Sequence, residues 1–178
     1  MKMKVISGLL LVMALFGGYW YVTTGDSYSA EISSTDEIQS LVNDINAGTA
    51  AAHSASIDSH ELVVKDDKNE GTHYDLSEED FFVSIAPYLN ETHPCEIHSL
   101  TGCEGEMQEE DFYLSVIDMD GSTILEKDIQ SLSNGFIDLW LPRDKIFEVT
   151  IEHKGKTVKK EISTFEGDNT CITDMQLR

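Results

Sequence analysis

The chain has 178 residues, of which 40% are apolar and 25% are charged, so it can form one or two small domains with a hydrophobic core. This composition excludes a disordered chain. The 33 acidic residues outnumber the 12 lysines and arginines, and the resulting formal charge of −21 repels nucleic-acid phosphates and attracts cations. We therefore expect no nucleic-acid partner.

The N-terminus predicts export. Lys2 and Lys4 precede an uncharged, mostly apolar run from Val5 to Val22. A basic start followed by such a run is typical of a secretory signal peptide or of an uncleaved membrane anchor, and both interpretations of residues 1–22 stay open. Either one places the rest of the chain in the periplasm or at the outer face of the cytoplasmic membrane, with no other membrane contact. The small, polar residues 23–33 are predicted to form a linker.

Residues 34–90 are predicted to form an N-terminal unit with one helix and a β-hairpin. Ser34 and Glu37 have the spacing of a capping box, and apolar residues recur at helical intervals before Gly48. The stretch that follows has no clear period and is either a second short helix or a loop. Strand patterns near 62–64 and 72–74 flank a predicted turn, and a further strand is predicted at 81–89.

Residues 91–178 are predicted to form an antiparallel, immunoglobulin-like β-sandwich, which makes the whole chain an α+β protein. After a loop from residue 90 to about residue 108, short apolar alternations recur about every ten residues with turns between them, as in β-sandwich domains. The last predicted strand begins at Cys171, and strict alternation would place Cys171 and Met175 on one face of it.

The three cysteines, at positions 95, 103 and 171, give the first indication of chemistry. Structural disulfides in exported proteins use cysteines in pairs, so one thiol must stay free, bind a ligand or pair between chains in a homodimer. Cys95 and Cys103 lie in the predicted loop, where their spacing fits either a loop-closing disulfide or two metal ligands. We expect the strand that carries Cys171 to meet this loop.

The loop also carries other groups that bind soft metals, namely His93, His98 and Met107. Thiolate and thioether ligands favour Cu(I), whereas imidazole also suits Cu(II) and zinc, so this set predicts copper in preference to zinc. Neighbouring glutamates are expected to raise the pKa values of the thiols. The alternative is a structural or adhesive cell-surface sandwich closed by a Cys95–Cys103 disulfide.

Three segments, HPC-x-x-HSLTGC-x-GE, GFIDLWLPRDK and DNTCIT, resemble the CueP family of extracytoplasmic copper-resistance proteins. The resemblance covers most of the chain after the export segment and includes all three cysteines. It implies that Cys95, Cys103, Cys171 and His98 are metal ligands, with His93 and Met107 as additional candidates from the residues themselves. It also implies a role in copper tolerance and delivery of copper to a superoxide dismutase.

We therefore expect an extracytoplasmic protein that holds Cu(I) through three cysteines. Closing a disulfide releases two electrons, so the same thiols would also reduce Cu(II), given a thiol–disulfide reductase or isomerase as partner. The sequence has no GxSxG or HExxH motif, so a conventional enzyme is not expected.

Overall fold

The computed structural model describes residues 35–178. The predicted export segment 1–22, the linker 23–33 and Ser34 of the capping box lie outside the described residues. Within residues 35–178, no helix combines the length and the apolar character that a membrane crossing requires.

The predicted helix is confirmed as α1 (Thr35–Asn46). Asp36 and Glu37 lie in its first turn, where negative charge interacts favourably with the helix dipole. Its apolar face buries Ile38, Val42 and Ile45 against the neighbouring strands.

Eleven strands follow α1 in the described part of the chain and form three sheets. One four-stranded sheet has the order β3-β2-β1-β5, a second has the order β10-β9-β6-β7, and a three-stranded sheet has the order β11-β4-β8. The fold is therefore mostly β with one short helix, and the immunoglobulin-like topology stays a prediction. The strands are β1 (Ser54–Ile57), β2 (Glu61–Lys65), β3 (Gly71–Asp75), β4 (Phe81–Tyr88), β5 (His98–Ser99), β6 (Asp111–Asp118), β7 (Thr123–Gln130), β8 (Ile137–Leu141), β9 (Ile146–His153), β10 (Lys156–Ser163) and β11 (Cys171–Gln176).

Three strands differ from the sequence expectations, and one of them, β5, lies within the predicted loop from residue 90 to about residue 108. The stretch expected to be a short helix or a loop contains β1, which pairs antiparallel with β2. The strand β7 has no counterpart among the predicted elements. It lies at the edge of its sheet and is exposed along most of its length, so its sequence lacks the apolar alternation that marks a half-buried strand.

The three-stranded sheet carries apolar residues on both faces. On β4, Phe81, Val83 and Ile85 face the main core, which they share with residues of β6, β8 and β9. Phe82 points the other way, toward the cluster formed with α1, β1 and β2. The strand β4, which lies in the predicted N-terminal unit, is thus the middle strand between β8 and β11. The division at residue 90 stays a prediction.

The pairing of β4 with β11 is parallel, which departs from the predicted all-antiparallel arrangement. The register also shifts along this pair, because Cys171 lies opposite Ser84 whereas Met175 lies opposite Pro87. One extra residue on β11 is a β-bulge, and it reverses the side-chain alternation beyond it. Cys171 therefore packs with a small cluster on one face, and Met175 packs in the main core on the other. The prediction that these two side chains share a face is wrong.

Candidate metal centre

The loop between β4 and β6 is held closed by the carboxylate of Glu106. Its oxygens accept hydrogen bonds from the backbone N–H groups of Leu89 at 2.6 Å, Asn90 at 2.8 Å and Glu91 at 3.3 Å, and from the Asn90 side chain at 2.8 Å. Partial desolvation opposes ionisation, but these donors prevail and lower the pKa of Glu106 to about 2. The two ends of the cysteine loop are therefore joined by an ionised group.

Close backbone packing fixes the same loop two residues after Cys103. The Gly105 N–H donates to the Asn134 carbonyl at 2.7 Å. A Cβ at Gly105 would lie 2.8 Å from the Gly135 carbonyl oxygen, which is closer than side chains approach in practice. Gly135 itself has a φ of +82°, a left-handed conformation that glycine adopts without strain. The two glycines let the loop rest directly on the turn before β8.

Thr170 ties the start of β11 to this loop. The N–H groups of Thr170 and Cys171 donate to the Glu96 carbonyl at 3.0 and 3.1 Å. The Thr170 hydroxyl donates to the Ile57 carbonyl at 2.6 Å and accepts from the His98 N–H at 3.2 Å. The last strand and the loop are thus held side by side, although more than 60 residues separate Cys171 from Cys103.

This arrangement brings the three thiols to one end of the three-stranded sheet. The Sγ atoms of Cys95 and Cys103 lie 3.6 Å apart, beyond the roughly 2.05 Å of a disulfide, and all three cysteines are free. The Sγ atoms of Cys103 and Cys171 lie within 4.8 Å of each other and of a ring nitrogen of His98. Cys171 is 2% exposed and packs with Ala86 and Phe136.

His98 is the most deeply buried donor of this cluster. Its side chain is 0% exposed and lies against Phe136, with the ring centroids 4.6 Å apart. Neither ring nitrogen has a nitrogen or oxygen hydrogen-bond partner among residues 35–178. A buried imidazole without a nitrogen or oxygen partner is costly, and the sulfur atoms of Cys103 and Cys171 lie beside this one, so its position suits coordination of a metal ion. The donor set of thiols and one imidazole fits copper.

The two additional candidates lie in different places. A ring nitrogen of His93 lies within 4.8 Å of the Sγ atoms of Cys95 and Cys103, and its side chain is half-buried. Met107 is buried in the main core between the sheets, apart from the small cluster that contains Cys171. The structure therefore places His93 beside the thiols and Met107 among apolar side chains.

The three thiols differ in pKa because their surroundings differ. The adjacent Cys171 thiol, helped by His98 and the Ser99 amide and opposed by burial, lowers the pKa of Cys103 to about 3. Burial raises the pKa of Cys95, and the neighbouring Cys103 together with burial raises the pKa of Cys171. The expectation that the flanking glutamates raise the thiol pKa values is wrong for Cys103, because hydrogen bonds to its thiolate outweigh the burial that opposes ionisation.

A polar chain that the sequence analysis missed lies on the same face of the sheet. Asp138 on β8 accepts hydrogen bonds from the Ser84 hydroxyl at 2.5 Å and from the Asn46 side chain at 2.6 Å. Burial raises the pKa of Asp138. Ser84 lies opposite Cys171 in the register of β4 and β11. A polar residue inside each of the apolar strands FFVSIAPY and IDLWL was the available signal.

Comparison with known proteins gives a consistent result. A family model described as periplasmic copper-binding protein CueP matches residues 36–176. The chain is also similar to the crystal structure of S.CueP, with 38% identity and a TM-score of 0.73 over 79% of this chain and 88% of that chain. No curated protein matches the chain.

Proposed function

This chain belongs to the CueP family of periplasmic copper-binding proteins, and we propose that it binds copper as Cu(I) through Cys95, Cys103 and Cys171 with His98. One observation carries the proposal. The donor atoms of His98, Cys103 and Cys171 lie within 4.8 Å of one another, and the buried ring of His98 lacks a nitrogen or oxygen partner among the described residues.

The chemistry of the donors supports the oxidation state. Thiolate sulfur is a soft ligand that favours Cu(I), and a buried position shields the ion from water. Cys103 is ionised at neutral pH because its pKa is lowered to about 3, so it offers a negative charge to an arriving cation. Cys171 and Cys95, whose pKa values are raised, release protons as copper binds.

The proposed biological role is copper tolerance in the periplasm. The bound ion would be retained or passed to a copper-dependent superoxide dismutase, and a homodimer is a further proposal. An adhesive surface domain with a closed Cys95–Cys103 bridge is the competing function. That function requires a chain with one free thiol that does not bind copper.

The 3.6 Å separation of the Cys95 and Cys103 Sγ atoms favours a second activity, reduction of Cu(II). Two Cu(II) ions would each take one electron, the Cys95 thiol would release one proton, and a disulfide would form between Cys95 and the Cys103 thiolate. A thiol–disulfide reductase or isomerase would restore the thiols. Mixing the reduced protein with Cu(II) tests this step: loss of two thiols with formation of two Cu(I) supports it, and unchanged thiols without Cu(I) refute it.

Titration of Cu(I) against a chromophoric chelator tests the binding site itself. We expect Cys103→Ser and Cys171→Ser to weaken binding about a hundredfold, equivalent to about 2.7 kcal/mol. We expect His98→Ala to weaken it by a smaller factor. His53→Ala is the matched control, because His53 is exposed and its ion-pair partner is Asp67 at 3.9 Å, outside the thiol cluster. Wild-type affinity in both cysteine variants would refute the proposed function.

A further inference from the structure

Two groups of metal-binding side chains share the sulfur of Cys103. One group is His93, Cys95 and Cys103, and the other is His98, Cys103 and Cys171; within each group the donor atoms lie within 4.8 Å of one another. We infer that copper is first captured by the His93 group and then moves to the His98 group while it stays bound to Cys103. This inference rests on the proposed function and adds an order of binding to it: Cys95 takes part in capture, and Cys103, Cys171 and His98 retain the ion.

The burial of the donors gives the direction of movement. His93 and Cys95 are half-buried, whereas His98 and Cys171 are 0% and 2% exposed. Cys95 and Cys171 line one cleft, and Cys95 is the more exposed of the two, so an ion arriving there meets Cys95 first. The more enclosed position keeps water away and holds the buried imidazole that lacks a nitrogen or oxygen partner among the described residues. The outer group is therefore the place of capture, and the inner group is the place of retention.

An acidic cleft leads to His93 of the outer group. The cleft has a volume of about 270 Å³, and its lining includes His93 together with Glu91, Glu104 and Glu106. Carboxylates around a cleft raise the local concentration of cations and increase the rate of encounter. Carboxylate oxygen is a poor ligand for Cu(I), so these residues attract the ion without retaining it. His93 is the first soft or intermediate donor that the ion meets there.

The transfer needs no change of oxidation state. Bonds from Cu(I) to His93 and Cys95 break, bonds to His98 and Cys171 form, and the bond to Cys103 persists. Cys171 must lose a proton to bind the ion, and Cys95 leaves as a thiolate that can take one up. Cys171 releases its proton to solvent and Cys95 takes one up from solvent, so atoms and charge balance. The shared sulfur keeps the ion on the protein throughout.

In this inference the outer group sets the rate of copper loading, and the inner group sets the equilibrium affinity. Stopped-flow transfer of Cu(I) from a chromophoric chelator to the full chain can measure the two separately. We expect His93→Ala to slow loading about tenfold, while its equilibrium affinity stays within about twofold of the wild type. His53→Ala, an exposed histidine outside the cluster, should change neither. Cys171→Ser should load as fast as the wild type in the first phase and then lose copper readily to competing chelator.

Three outcomes would overturn the relay. In the first, His93→Ala loads at the wild-type rate. In the second, His93→Ala weakens equilibrium binding as much as His98→Ala, which would make His93 a ligand of the final site. In the third, two Cu(I) ions stay bound per chain at saturation, which would make the two groups simultaneous sites. Failure of the proposed function is distinct from all three, because it requires Cys103→Ser to keep full affinity. Thermal unfolding of each variant confirms that it is folded.

Discussion

Replacing Glu106 with glutamine should both destabilise the protein and weaken copper binding. The carboxylate accepts three backbone N–H bonds and one from the Asn90 side chain, and it joins the ends of the loop that carries Cys95 and Cys103. Glutamine has one acceptor oxygen and an NH₂ group that would face N–H donors. A charge-assisted hydrogen bond contributes about 1.5–3 kcal/mol when buried, and Glu106 is exposed, so we expect a loss of about 1–2 kcal/mol at pH 7.

The stabilising effect of Glu106 should depend on pH in a defined direction. The pKa of Glu106 is lowered to about 2 in the folded protein, below the value of about 4.3 for an unfolded chain. The stabilisation from its ionised form is therefore complete above about pH 5 and is lost as the pH falls toward 2. In Glu106→Gln this component is absent, so the difference in unfolding free energy between wild type and variant should shrink over that range.

Urea unfolding at several pH values between 3 and 7 measures the effect. Glu104→Gln is the control, because Glu104 is an exposed glutamate of the same loop and its side chain has no hydrogen bond or ion pair among the described residues. Equal stability losses in the two variants would refute the reasoning, as would a wild-type pH dependence in Glu106→Gln. A Cu(I) titration of the same samples shows whether the loosened loop also lowers affinity.

Three further predictions concern the loop, the fold and proton release. Gly105→Ala should cost about 1–3 kcal/mol and weaken Cu(I) binding, because its Cβ would meet the Gly135 carbonyl at 2.8 Å; urea unfolding and chelator titration check this, and unchanged values contradict it. Arg143→Lys should lower the unfolding free energy by about 2–3 kcal/mol, because the guanidinium donates to three backbone carbonyls and an ammonium cannot span them; a melting temperature equal to that of the wild type would contradict it. The affinity for Cu(I) should rise between pH 6 and 8, because the pKa values of Cys95 and Cys171 are raised and binding must displace their protons; competition titrations check this, and a flat profile contradicts it.

Local sequence patterns were sufficient for several elements. The spacing of Ile38, Leu41, Val42 and Ile45 predicted α1, and the alternating residues around the turn after Lys65 predicted the β2–β3 hairpin. These patterns work because helix and hairpin contacts join residues close in sequence. The edge strand β7 was missed because only Leu125 and Ile129 pack against the core, each partly buried, and the charged Lys127 lies between them on that face.

The sequence by itself determined the kind of metal chemistry, because thiolate and imidazole groups have the same ligand preferences wherever they lie in a fold. The order of the three motifs identified the family. Tertiary structure alone decided which donors meet. The parallel pairing of β4 with β11 brings Cys171 to the loop, and the bulge that follows turns Met175 into the main core and away from the face of Cys171. The donor group formed by His98, Cys103 and Cys171 depends on the same contacts. Those contacts join residues more than 60 positions apart, so no local pattern encodes them.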